Sequence, residues 1–293
     1  MARERLQEMA AERAEAILER LSQGTMPIDP LEVARSEAKL LETIGGDFRN
    51  RFDGQVEYHR KGNRFLLFYN TKYDAGLDIG EHHPRTRFSI AHELGHYFLE
   101  EHHSYLLKGG WSHPSRSEFF SQASIEREAD AFAAGLLMPA RLMRPLVNAE
   151  ELSASRLGQI SRRFKTSLVG TAIRSVRLSD FPCALVGIRD GQVAWSFLSE
   201  PLKKGGCYPS ERGSLPHDLA GEVWQGFVHG VDATHVGEGS VGGWFRTFEN
   251  EDLHEIPLTE HYLPVPAMET LLVLLTASED DLFPEADEET DED

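Results

Sequence analysis

The stretch Phe88-Ser-Ile-Ala-His92-Glu93-Leu-Gly-His96-Tyr-Phe-Leu99 contains two histidines four residues apart, with a glutamate directly after the first. Apolar residues recur around them at helical spacing, which predicts a buried helix. On a helix, residues four apart lie on one face, so both imidazoles can reach a single metal ion. Glu93 is rotated by about 100° around the axis, where it can act as a general base toward water at the metal. The pattern therefore indicates half of a hydrolytic zinc site.

The first candidate for a third ligand is His102, which follows at the spacing found in metzincins. In those enzymes a glycine at the position of Leu99 turns the chain back toward the metal. Because Leu99 is not a turn-forming residue, the helix is predicted to continue. His102 would then lie about 15 Å along the axis from His92, out of reach of the same ion.

The stronger candidate is Glu126, in a second predicted helix that starts near Ser124 and ends at Pro139. On a helical wheel Glu126 borders the apolar stripe, which includes Ile125, and should face the first helix. Asp130 lies one turn further on the same side, where it can accept a hydrogen bond from the free ring nitrogen of a ligating histidine. Glu128 is predicted to point to the other side.

Two separated motifs, Arg85-Thr-Arg-Phe-Ser-Ile-Ala-His-Glu-Leu-Gly-His96 and Glu126-x-x-Ala129-Asp130, agree in order and spacing with one family. Over roughly residues 5–180 the chain resembles the ImmA/IrrE family of zinc metallopeptidases. The resemblance implies a zincin-like fold and a gluzincin-like Zn²⁺ site, with Mn²⁺ as the alternative metal. It assigns His92, His96 and Glu126 as ligands and Glu93 as the catalytic base.

The same resemblance implies a substrate class. Members of this family typically cut helix-turn-helix transcriptional repressors, which relieves repression in a stress, DNA-damage or phage-defence response. Single-stranded DNA or a small molecule is the expected kind of activator. The residue that stabilises the oxyanion is not indicated, and its candidates are Tyr97, His103, Tyr105 and His113. His113, in the polar segment 104–123, is also a candidate lid residue or inhibitory ligand.

Upstream of the motif, the pattern predicts an amphipathic helix over residues 2–22 and a second helix from Pro30 through Leu41, with Asp29 as its cap. A hairpin should follow, with strands at 55–58 and 64–69. The segment Phe65–Asn70 is a candidate edge strand that could bind an extended substrate by adding it to the sheet, although an ordinary core strand fits the pattern equally well.

The net charge of −18 is unevenly distributed. Ten acidic residues and no basic residue lie between Glu279 and Asp293, which predicts a disordered acidic tail. By contrast, Ser153–Ser179 has no acidic residue and reads as helix, turn, helix. These basic side chains could contact DNA, the acidic tail or a protein substrate, and a structural or docking role is favoured. They are Arg156, Arg162, Arg163, Lys165, Arg174 and Arg177.

The predicted fold class is α+β, with four regions. A zincin-like metallopeptidase domain covers 1–145, a small helix-turn-helix-like segment 146–180, a GAF-like sensor domain 181–277 and the acidic tail 278–293. The GAF-like assignment is implied by resemblance to IrrE-type proteins, because no motif in that region specifies it. Two cysteines are too few for a disulfide framework and are expected to be buried and inert. Without an apolar leader or spanning segment, a cytoplasmic protein with no membrane partner is expected.

Two other functions remain open from the sequence. The chain could be a DNA-binding transcriptional regulator in which the metal site is structural and the basic segment carries the function. It could also be an inactive protease fold that only binds its partner. Glu93 favours the peptidase, since a structural metal site needs no base beside the metal.

Overall fold

The computed structural model describes residues 2–109, 124–213, 218–247 and 251–283. The first eleven elements form this series: α1 (Ala2–Arg20), α2 (Pro30–Ser36), β1 (Leu41–Gly46), β2 (Gly54–His59), β3 (Arg64–Asn70), α3 (Pro84–Phe98), α4 (Glu100–Leu107), α5 (Ser124–Leu137), α6 (Ala140–Val147), α7 (Ala154–Phe164) and α8 (Leu168–Leu178). Helices α7 and α8 occupy the segment predicted as helix, turn, helix, and Ser167 caps α8 by accepting a hydrogen bond from the backbone N–H of Gly170 at 3.1 Å.

The remaining elements are β4 (Cys183–Arg189), β5 (Gln192–Leu198), α9 (Glu200–Lys204), β6 (Tyr208–Pro209), α10 (Asp218–Val228), β7 (His235–Ser240), α11 (Val241–Trp244), β8 (Phe245–Arg246), β9 (Pro257–Val265), β10 (Thr270–Thr276) and α12 (Glu279–Leu282). Short 3-10 helices cover Glu251–Glu255 and Pro266–Met268. The chain divides into two compact units, the first made of residues 1–143 and 160–171 and the second of 144–159 and 172–293. The four-region division made from the sequence stays a prediction.

In the first unit, helix α3 is the central element. It is buried on nearly all sides, from Thr86 to Tyr97, because it packs on α5, on α4 and on strands β2 and β3. Helix α5 packs in turn on α1, where small residues allow a close approach. A Cβ on Gly135 would lie 2.7 Å from the backbone oxygen of Ala11, so only glycine fits at this crossing.

The small sheet of the first unit differs from its prediction in two ways. Helix α2, capped by Asp29 as predicted, ends at Ser36 rather than Leu41, and Leu41 starts the unpredicted strand β1. Strand β1 runs parallel to β3, and the ring of Tyr69 covers Gly45, which has no side chain to obstruct it. The sheet order is therefore β1-β3-β2. Because β3 has a partner on each side, the suggestion that Phe65–Asn70 is a substrate-binding edge is wrong.

The second unit is built on a five-stranded antiparallel sheet of order β5-β4-β10-β9-β7. All seven residues of the central strand β10 are buried, so the sheet is covered on both faces at this point. Cys183 and Cys207 are buried in this unit, as predicted, and burial raises the pKa of each thiol to about 11. The segment predicted as a disordered tail starts with the short helix α12, which buries Leu282 against Gly205. Residues 284–293 lie outside the described part of the chain.

Among the described residues, no helix combines the length and the apolar character that a membrane span requires.

The crossing of α1 and α5 provides a stability test. We expect Gly135→Ala to lower the free energy of unfolding of the first unit by about 1–3 kcal/mol, because the added methyl group would overlap backbone atoms of Ala11. The matched change Gly221→Ala in α10 has nothing within 4 Å of the added atom. It should leave stability unchanged or raise it slightly, since alanine favours helix. Denaturant unfolding followed by circular dichroism measures both. Equal effects of the two substitutions would contradict the close crossing.

Candidate metal centre

Helix α3 starts at a cap that the sequence encodes directly. The His83 ring accepts a hydrogen bond from the backbone N–H of Arg85 at 3.2 Å, and Pro84 occupies the first helical position. Proline fits there because its missing N–H would have no helical partner. Two turns later the helix presents His92 and His96 toward α5. Both imidazoles are buried, with relative exposures of 5% and 7%.

Helix α5 brings its acidic residues to the two histidines because the helices cross closely. A Cβ on Gly95 would lie 3.1 Å from the Cα of Ala129, so a larger residue would push the helices apart. Nε2 of His92 lies 3.2 Å from Oε2 of Glu126, and Nε2 of His96 lies 3.6 Å from Oε1 of the same carboxylate. The two Nε2 atoms are 3.1 Å apart. The structure thus brings together the three side chains predicted as ligands.

These three side chains fit a tetrahedral metal site. Ligand atoms at about 2.0–2.1 Å from a tetrahedral zinc ion lie about 3.3–3.4 Å from one another. The two Nε2 atoms are 3.1 Å apart, and the Glu126 oxygen nearest each of them lies at 3.2 Å or 3.6 Å, so all three distances are close to that value. The two Nε2 atoms face each other at hydrogen-bonding distance, and both are directed at the Glu126 carboxylate. A cation between these three groups would stabilise the arrangement. The donor set of two imidazoles and one carboxylate is also that of catalytic zinc sites with one open position.

Asp130 lies on the side of α5 that faces His92. Its Oδ1 lies 2.9 Å from Nδ1 of His92, so it accepts a hydrogen bond from the ring nitrogen that faces away from the ligand cluster. Burial lowers the pKa of the His92 imidazole, but the hydrogen bonds with Asp130 and Glu126 outweigh it and raise that pKa to about 10. For the Glu126 carboxyl, burial acts to raise the pKa. Its hydrogen bonds and charge interactions with His92 and His96 are stronger and hold that pKa well below its usual range.

Glu93 is fully buried beside the ligands and rotated away from them, and its charge acts on His92. Its side chain lies against the start of β2, where a Cβ on Gly54 would come within 2.8 Å of Oε1 and Cγ of Glu93. The glycine therefore leaves the space that the glutamate occupies. Among the described residues β2 pairs only with β3, so β2 is an edge strand of this sheet. It is also the strand that lies against Glu93.

Residues of α3, α4 and α5 correct three sequence-based expectations. Helix α3 ends at Phe98, and Leu99 is extended, so the chain turns without a glycine. His102 is therefore not remote but buried, with Nδ1 3.0 Å from Nδ1 of His96. Glu128 does not point away from the site, because its Oε2 lies 3.5 Å from Nε2 of His102. Ile125, expected in the buried stripe, is 47% exposed.

Three candidates for stabilising an oxyanion, Tyr97, His103 and Tyr105, do not join the group of ligands in the described part of the chain. The Tyr97 hydroxyl donates to Glu37, and burial together with that carboxylate raises the pKa of Tyr97 to about 12. Nδ1 of His103 is hydrogen-bonded to the backbone oxygen of Tyr97, and Tyr105 is exposed. His113 lies outside the described residues.

The region around this centre matches a known family model. Residues 68–175 match the IrrE N-terminal-like domain, which belongs to a family of peptidases. Residues 68–175 are therefore similar to the catalytic-type domain of the ImmA/IrrE peptidases. The IrrE-like domain thus includes α3 and α5, and the family places it in a class of metallopeptidases. No curated protein matches the chain at a significant level.

A solved structure shares the fold more widely. The structure of a Mycobacterium tuberculosis transcriptional regulator is similar over 92% of this chain and 76% of its own, with a TM-score of 0.50 and 13% sequence identity. At this identity the similarity concerns the fold alone. It extends beyond the IrrE-like domain.

The ligand assignment predicts one metal ion per chain. We expect the wild-type protein to bind one equivalent of Zn²⁺ or Mn²⁺ and Glu126→Gln to bind it at least about tenfold more weakly, because the amide loses the charge that balances the cation. Glu93→Gln is the matched control and should retain the metal. Titration calorimetry or metal analysis after dialysis measures both. Metal retained equally by all three proteins would place the ion elsewhere.

Proposed function

We propose that this protein is a zinc-dependent endopeptidase that cleaves a helix-turn-helix transcriptional repressor and so relieves repression in a stress, DNA-damage or phage-defence response. The observation that carries the proposal is the convergence of His92, His96 and Glu126 beside the fully buried Glu93. The IrrE-like domain supports the peptidase class. The repressor as substrate follows from the family resemblance.

The side chains of this site divide the work of peptide hydrolysis. Zinc, when bound, supplies a Lewis acid that polarises the scissile carbonyl and lowers the pKa of water. His92, His96 and Glu126 would hold the ion, and Asp130 orients His92 through its hydrogen bond. Glu93 takes a proton from the attacking water and donates it to the leaving amine. Its burial keeps bulk water away from this proton transfer.

We further propose that the substrate binds in extended form along β2. This strand is an edge of the described part of the sheet and begins at Gly54, beside Glu93. An extended peptide can add to such an edge through main-chain hydrogen bonds, which do not depend on its sequence. The scissile bond of a peptide so bound would lie close to the base.

For the basic segment we propose a docking or structural role rather than duplex binding. In α8 every residue except Arg177 is at least partly buried, which leaves little helix surface for a DNA groove. Three of the basic side chains are already engaged: Arg156 binds Glu150 and the backbone oxygen of Leu146, Lys165 binds Glu81, and Arg177 lies over the ring of Phe197. Arg162 and Arg163, in the last turn of α7, are exposed and could contact a partner.

The second unit is proposed to act as a GAF-like sensor. Its antiparallel sheet with a doubly covered centre is compatible with this fold. The activator would be single-stranded DNA or a small molecule. Whether cleavage in the assay below depends on single-stranded DNA distinguishes these two kinds of activator.

The decisive test uses a candidate substrate, a helix-turn-helix repressor of the phage-repressor type from the same genome. The purified repressor is incubated with the full-length protein and Zn²⁺, with and without single-stranded DNA, and the products are identified by mass spectrometry. We expect one cut with the wild type and none with Glu93→Gln, because the variant lacks the base. Cleavage by both proteins, or by neither, would overturn the proposal. Specific duplex binding without cleavage would instead support a DNA-binding regulator.

Gly54 provides a second test of the role of Glu93. We expect Gly54→Ala to lower kcat by about 100-fold, because the added methyl group must displace the Glu93 carboxylate from its position. Metal binding should not change. The control is Gly46→Ala in β1 of the same sheet, where the nearest atom to the added Cβ lies at 3.4 Å. If both variants cleave the repressor at wild-type rates, the position of Glu93 against Gly54 is not required.

A further inference from the structure

A chain of three side chains, two buried histidines and a partly buried glutamate, runs from the ligand cluster to α5 by way of α4. It starts at Nδ1 of His96, continues 3.0 Å away at Nδ1 of His102 and ends with Nε2 of His102 3.5 Å from Oε2 of Glu128. His102 is 3% exposed, so its ring nitrogens depend on these neighbours rather than on water. The sharp turn at Leu99 makes the contact possible, since it sends α4 back past the end of α3.

Metal binding through Nε2 of His96 determines which ring nitrogens of His96 and His102 carry a proton. If Nε2 of His96 offers its lone pair to a metal, the neutral ring must carry its proton on Nδ1. That N–H then donates to Nδ1 of His102, which must be an acceptor. The proton of His102 consequently sits on Nε2, the ring nitrogen that lies 3.5 Å from Oε2 of Glu128. Each ring is thereby held in a single tautomer.

We propose that His102 and Glu128 are positioning residues that fix the tautomer and the orientation of His96 as a metal ligand. This inference rests on the proposed metal site. Under this proposal both ligand histidines are oriented in the same way. Each donates the N–H of its Nδ1 atom, which faces away from the metal, to a side chain or chain of side chains that ends in a carboxylate. For His92 the carboxylate is Asp130, in direct contact. For His96 it is Glu128, reached through His102.

Helix α5 therefore supplies a carboxylate at three alternate positions, and each has its own role. Glu126 meets both Nε2 atoms, Asp130 meets the outer nitrogen of His92, and Glu128 meets His102. His102 itself does not join the ligands. Both of its ring nitrogens are directed at His96 and Glu128, and the convergent ligand group found among the described residues consists of His92, His96 and Glu126.

The test compares metal affinity across a matched set of full-length variants. His102→Leu removes both ring nitrogens but keeps an apolar side chain of similar size. His102→Asn keeps an acceptor near the position of Nδ1. Glu128→Gln removes only the charge at the end of the chain. Glu101→Gln is the control, since it removes an exposed carboxylate from α4 next to His102.

Zn²⁺ dissociation constants are measured by competition with a chromophoric chelator, and the visible spectrum of the Co²⁺-loaded protein reports ligand geometry. We expect His102→Leu to weaken Zn²⁺ binding about 10–100-fold, as is typical when a hydrogen-bond partner of a ligating histidine is lost. His102→Asn should recover part of this loss, and Glu128→Gln should show a smaller one. Glu101→Gln should bind as the wild type does.

The outcomes separate this inference from the proposed function. If the wild type binds Zn²⁺ and cleaves the repressor while His102→Leu and Glu128→Gln keep its affinity and Co²⁺ spectrum, the positioning role is overturned and the peptidase stands. If the wild type binds no Zn²⁺, the proposed function itself fails. Should His102→Leu not fold, ¹⁵N NMR of the Zn²⁺-loaded wild type decides, because the relay requires the His96 proton on Nδ1 and the His102 proton on Nε2.

Discussion

The close crossing of α3 and α5 at Gly95 and Ala129 is the contact on which the rest of the first unit depends. With a Cβ at Gly95 the helices would separate, since its nearest atoms on α5 would lie at 3.1 and 3.2 Å. Such a separation would break the ligand cluster, because the Glu126 carboxylate can contact both imidazoles only when the backbones of α3 and α5 are close together. The same requirement recurs on the far face of α5, where Gly135 lies against Ala11 of α1. Two glycines thus hold α5 between its neighbours.

This geometry concentrates ionisable groups where water is scarce. An isolated buried charge costs several kcal/mol, so a cluster of buried acids and imidazoles persists only when its members pair with one another. Here Glu126, Glu128 and Asp130 each face a histidine. Burial and His96 together lower the pKa of His102 to about 4, although the acids oppose the shift. Nδ1 of His102 lies 3.0 Å from His96, and its Nε2 lies 3.5 Å from the Glu128 carboxylate.

The sequence predicts those elements whose signals are local. Helices α1, α3 and α5 follow from apolar periodicity, and the end of α5 follows from Pro139. Strand β1 was missed because Leu41–Gly46 ends in two glycines and shows no clear alternation of burial. Its stability comes from β3, and Tyr69 covers the gap that Gly45 leaves. Since a parallel partner distant in sequence leaves no local signal, the central position of β3 could not be predicted either.

The same distinction applies within the metal centre. Glu126 and Asp130 could be placed from a helical wheel, because each acts on a residue of α3 that the wheel already directs toward α5. Glu128 could not, since its partner lies on α4, and α4 reaches it only through the turn at Leu99. A side chain classified as solvent-facing on a two-helix wheel becomes partly covered when a third helix packs beside it, as α4 does beside Glu128. The signal that could have revealed this was the alternation of three acids, Glu126, Glu128 and Asp130, followed by a long apolar run. A purely solvated face would instead place its acids three or four residues apart, so alternate acids on a buried helix indicate partners on two sides.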